Sequence, residues 1–133
     1  MRRPLFALAL FVASVGTLTA AEPTQAQSYE QCQAAAGGVT VKLRACDVAE
    51  LRRRDAALNQ VYTELMRTLP PLRRERLRAA ERAWIGFRDA ECAFRTTAEA
   101  GGSAAPLVAG GCHLELTASR IRDLRQALRV ERF

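Results

Sequence analysis

AERAWIGFRDAEC, residues 80–92, is the stretch on which the fold turns. At about 100° per residue it gathers Ala80, Trp84, Phe87 and Cys92 near one side of a helix, with Leu77 one turn earlier. Pro70-Pro71 upstream ends one helix and starts this one, Pro71 being acceptable in a first turn. Downstream, EAGGSAAPLVAGG at 99–111 reads as a Gly-rich connection to Cys112, with a helical turn starting at Pro106. The spacing therefore predicts a helix from about Leu72 to Thr97.

Working outward, Asp47 with Glu50 has capping-box spacing, Asp standing for Ser or Thr. It predicts a long helix to about Leu69, with Leu51, Leu58, Val61, Tyr62, Leu65 and Leu69 on its apolar side. Further upstream, Ser28 with Gln31 repeats that spacing before a short helix that Gly37-Gly38 stops. Thr40 caps a second short helix through Cys46. The last helix runs from about Cys112 to Arg129, with Leu116, Thr117, Ile121, Leu124 and Leu128 inward. No segment alternates with period two between hairpin turns. The fold class is all-α: three main helices plus a short N-terminal pair.

The chain has 133 residues, enough for one domain. Met1-Arg2-Arg3 precedes an uncharged run from Pro4 to Ala21, the pattern of a secretory signal peptide over 1–21 with cleavage possible as late as 26. Residues 22–31 then form a polar leader, unstructured over 22–27, with the first cap, and 32–129 form the helical domain. No cysteine directly follows the apolar run, so no lipid-modified N-terminus is expected. The expected location is periplasmic or secreted, with no membrane span once the leader is removed.

Four cysteines in an exported chain of about 110 residues read as two disulfides. Three connectivities are open. Cys32–Cys46 with Cys92–Cys112 is favoured because each closes a short loop around a Gly-containing turn. Zinc is disfavoured by intervening spacings of 13, 45 and 19 residues and a single histidine. No metal or other cofactor is expected.

The formal charge is +6, with 20 basic and 14 acidic residues, so loss of Arg2 and Arg3 leaves 18 against 14, or +4. Export makes nucleic acid a poor partner for that excess. Anionic envelope polymers or an acidic patch on another protein fit better.

Catalytic chemistry finds no foothold. A hydrolytic triad needs a nucleophile, a base and an orienting group, and the only imidazole is His113 beside Cys112. Gly101-Gly102-Ser103 lacks the lysine of a phosphate-binding loop. Trp84 and Phe87 read as core. Asp55 falls on the apolar side of its helix, and Arg88 and Arg120 have similar placements. Core-facing charges are rare unless paired, so Asp55 is expected to pair with Arg88 or Arg120 between helices. Arg52-Arg53-Arg54 step around a helix, and most should meet water. Arg73, Arg74, Arg76 and Arg78 crowd a first turn that the helix dipole makes unfavourable for cations. They read as a solvated face balanced by Glu75 and Glu81, or as a carboxylate-binding patch. The partner-binding candidates are Arg73, Arg74 and the loop at Gly101, Gly102 and Ser103.

With these residues the chain resembles the lysozyme inhibitor LprI-like family over about 32–128. The resemblance rests on Cys32, Cys46-Asp47, Leu51, Asp55, Leu58-Asn59 and Tyr62. It continues through Arg82-Ala-Trp84, Phe87-Arg88-Asp89, Cys92 and Gly101-Gly102-Ser103 to Cys112, Leu116-Thr117, Arg120 and Leu124. It implies an all-helical fold, paired disulfides and inhibition of lysozyme by protein–protein binding. The partner expected is lysozyme or another peptidoglycan hydrolase. The alternative is an envelope module that binds anionic glycan or lipid without inhibition.

Overall fold

The computed structural model describes residues 25–99 and 101–132; the expected signal peptide over 1–21 lies outside them, as do residues 22–24 of the expected leader. The described chain is all-α: α1 (Gln25–Ala36), α2 (Thr40–Thr68), α3 (Pro71–Thr96), a 3-10 turn at Thr97–Glu99 and α4 (Ala105–Glu131).

Three boundaries differ from the sequence reading. Ser28 lies inside α1 rather than capping it, and residues 25–27 are helical rather than part of an unstructured leader. Gln and Ala are good helix formers, so nothing local stops the helix from extending that far back. The expected break at Asp47 is absent, because α2 runs unbroken from Thr40 with Val39 as its cap residue. α4 begins at Ala105, not Cys112, with Pro106 in its first turn and both Gly110 and Gly111 inside the helix. Glycine costs a helix about 1 kcal/mol but does not end it. Gly37 and Gly38, at φ 57° and 78°, do reverse the chain between α1 and α2, in a region L side chains rarely adopt.

Cross-contacts set the topology. Arg54 reaches Leu114 near the start of α4, and Arg132 reaches Glu64 near the end of α2, so α2 and α4 run parallel. Arg73 meets Glu131, and Arg95 meets Glu115, so α3 runs antiparallel to α4. The core is a seam of Leu58, Val61, Leu65 and Leu69 against Ile121, Leu124 and Leu128, with Leu77, Tyr62 and Trp84 packed on it. Each fully buried aliphatic side chain there stabilises the fold by about 1.5–3 kcal/mol.

Cys32–Cys46 and Cys92–Cys112 are bonded, with Cα–Cα distances of 5.8 and 5.5 Å. Loops of this size give about 3 kcal/mol each on the chain-entropy account. The first bond ties α1 to α2, and the second ties the two ends of the α3–α4 connection.

α3 is covered on one side only: of its 26 residues Cys92 alone is buried. Phe87, expected in the core, is 56% exposed and Phe94 is 70% exposed. Three residues beyond Trp84, Phe87 stands about 60° round the helix and about 140° from Cys92, outside the covered sector.

Candidate functional site

Two buried carboxylates near the start of α2 organise its neighbours, and both were read from sequence as a helix cap. Asp47 is buried. Its Oδ1 accepts from the Tyr29 hydroxyl at 2.6 Å and from Gln33 Nε2 at 2.8 Å, and Gln33 also donates to the Tyr29 hydroxyl at 2.9 Å. Burial first, then the hydrogen bond and charge of Asp47, push the Tyr29 phenol up to about 12.

Glu50, one turn on, is buried too. It accepts from Arg53 Nε at 2.7 Å and from Arg54 Nε at 2.7 Å. Burial pushes its carboxyl up, but the two guanidiniums outweigh burial and hold it below its usual range. Arg54 Nη1 donates to the Leu114 carbonyl at 2.7 Å, bridging α2 to α4. The expectation that Arg52-Arg53-Arg54 mostly meet water holds for Arg52; Arg53 and Arg54 are half-buried on Glu50.

This anchoring shapes a groove of about 340 Å³ between α2 and α4. Ala57, Ala118 and Ile121 contribute apolar lining, and Arg53, Arg54, Arg122 and Arg125 line it with the single acid Glu50. Arg122 and Arg125 are exposed and have no carboxylate partner among the described residues. Four guanidiniums beside one acid, itself already occupied, can take up an anionic group, and planar guanidiniums favour carboxylates. Sequence reasoning missed this groove. Its one signal was that Arg122 and Arg125, three apart, share a helix face, which says nothing of its neighbour.

On the opposite side of the seam the residues singled out around Trp84 do meet. Arg88 lies 5.1 Å and Arg120 6.0 Å from the Trp84 ring centroid, in cation–π range. Arg120 Nε donates to Glu81 at 2.9 Å, so its carboxylate is Glu81 and not Asp55. Arg88 stands 3.9 Å from Asp55, a charge contact longer than a hydrogen bond, and the Asp55 side chain is 47% exposed.

The residues expected to bind a partner are mostly spoken for. Arg73 pairs with Glu131 at 2.6 Å, and Arg74 Nε donates to the Leu69 carbonyl at 2.6 Å, satisfying an end of α2. Gly101, Gly102 and Ser103 form an exposed turn, with Gly101 at φ 80°. His113 Nδ1 bonds the Ala109 carbonyl at 2.8 Å and Nε2 lies 3.6 Å from Asp89. Among the described residues no cluster of His, Cys, Asp and Glu is arranged to hold a metal.

The described residues form a disulfide-stapled frame of four helices that holds arginines along an open groove. The chain belongs to the lysozyme inhibitor LprI family, whose model matches residues 32–124. It is also 29% identical over 120 residues to an uncharacterized protein of Rhizobium meliloti (strain 1021), covering 80% of this chain and 85% of that one. No solved structure matches it. Family and disulfides together are those of an exported protein. Among the described residues no helix is long and apolar enough to cross a membrane.

Proposed function

We propose that the protein, exported by its N-terminal signal segment to the periplasm or beyond, inhibits a lysozyme-type peptidoglycan hydrolase by binding it through the α2–α4 groove. The observation that carries this reading is the pair Arg122 and Arg125, exposed and without an internal carboxylate beside an apolar lining. Glycosidases of this class work with two carboxyl groups flanking the scissile bond. The helix fixes where the guanidiniums emerge toward such a cleft, ordering the exposed Arg122 and Arg125 side chains costs rotamer freedom, and the apolar strip supplies contact area. Desolvating the charges opposes binding, so affinity depends on fit. A net positive inhibitor gains no long-range attraction to a basic lysozyme, and association is expected to be slow and only weakly salt-dependent in rate.

The same groove supports a second reading, uptake of anionic envelope glycan or lipid without inhibition. A cell-wall turbidity assay with the purified protein, run beside retention on peptidoglycan, separates them. Inhibition supports the first reading, and salt-sensitive retention with unimpaired lysis supports the second.

A further inference from the structure

We propose that the outer face of α3 is the surface on which two copies of this chain pair, antiparallel. Ala80, Ala83, Phe87, Ala90 and Phe94 follow one another at spacings of three and four, and all five are exposed. Arg76 continues the row one turn earlier. This is the repeat of a helix–helix seam, and it lies on the side of α3 that the bundle leaves bare. Two phenylalanines exposed at 56% and 70% in one row form an apolar ridge of the kind monomers seldom leave open.

The row is complementary to itself in only one direction. Crossing two copies antiparallel at the level of Ile85 sets Phe87 of each against the small Ala83 of the other, and Ala80 against Ala90. It sets Phe94 beneath Arg76, where a guanidinium on a ring face is favourable. A parallel pair would stack Phe87 on Phe87 and Arg76 on Arg76. Charge selects the same direction. Residues 71–83 of α3 carry five arginines against two glutamates, a net of +3, while residues 84–96 carry two arginines against Asp89 and Glu91, a net of zero. Parallel pairing sets +3 on +3. Antiparallel pairing sets +3 on neutral. Gly86, next to the seam with open space around it, lets the two backbones approach.

Such a contact is isologous and closes as a twofold dimer. It spans about 27 Å from Arg76 to Phe94 at 1.5 Å per residue. With alanines as most of its knobs, it should dissociate in the range of about 1–100 μM. The surface is distinct from the groove, which α2 and α4 line alone.

The test is sedimentation velocity on the exported, oxidised protein across about 10–500 μM, a span chosen to bracket that range. The expected result is a concentration-dependent doubling of mass. Phe87→Glu and Phe94→Glu should each weaken it about tenfold or more, as central apolar contacts do, with circular dichroism and thermal midpoint unchanged. A monomer throughout the range overturns the proposal, as does a dimer indifferent to both glutamate variants. A monomer whose hydrolase inhibition is lost with Phe87→Glu overturns it too, because that assigns the face to another protein.

Discussion

A side chain on Gly110 would collide with the carboxylate of Asp47: an added Cβ would stand 2.7 Å from Oδ2 and 3.2 Å from Cβ and Cγ. The close approach of α4 to α2 at this level depends on that missing atom. Asp47 cannot easily yield, because Tyr29 and Gln33 hold it in place.

Gly110→Ala should therefore destabilise the protein by about 1–3 kcal/mol, the cost of overpacking a fixed site. Its neighbour is the control. Gly111 has nothing within 4 Å of an added Cβ, so Gly111→Ala should stabilise by about 0.5–1 kcal/mol through helix propensity alone. Urea midpoints of the two variants should move in opposite directions.

Thr117 is fully buried and its hydroxyl has no hydrogen-bond partner among the described residues. Thr117→Val keeps the shape and removes an unsatisfied polar atom. It should leave stability unchanged or raise it by about 1 kcal/mol. A loss above about 1 kcal/mol in denaturant unfolding would show that the hydroxyl is bonded in solution.

Tyr29 carries a pH signature. Its folded value, about 12, lies above the ordinary 10, so its contribution to stability is complete below pH 10 and fades as pH rises through 12. The tyrosinate absorbance that Tyr29→Phe removes should titrate with a midpoint near 12. A midpoint near 10 would mean that Tyr29 does not hold Asp47.

Glu50 has the opposite sign. Its folded carboxyl titrates below the unfolded one, so the stability it provides is present above the unfolded value and is lost as pH falls through the folded one. Glu50→Gln should be less stable than the parent at neutral pH, and the gap should narrow on acidification, read from unfolding midpoints at successive pH values.

Much of the frame could be read in the sequence because its punctuation is local. Pro70-Pro71 and Gly37-Gly38 act on their own backbone, so their positions carried over unchanged. The cysteine pairs were favoured because each encloses its own turn. What misled was a local pattern with a distant cause. Asp47 and Glu50 sit at capping-box spacing, yet Asp47 serves Tyr29 and Gln33 on α1, which no window around it contains, while Glu50 takes Arg53 and Arg54 three and four positions on in its own helix. Gly110 and Gly111 look like loop residues for the same reason: the carboxylate that requires Gly110 lies 63 positions away. Phe87 was placed inward because periodicity gives a face without saying whether anything covers it. The groove was hidden likewise, since Arg122 and Arg125 become a site only once α2 lies alongside.

The most direct measurement is lysis of a peptidoglycan suspension by lysozyme in the presence of this protein and its Arg122→Glu/Arg125→Glu variant. The account predicts that the parent slows lysis at near-stoichiometric ratios. The variant, folded to the same thermal midpoint, should need at least about tenfold more protein for the same effect, the loss expected for charge contacts at the centre of an interface. Undiminished lysis at large molar excess of the parent would contradict it, and so would equal inhibition by the two proteins.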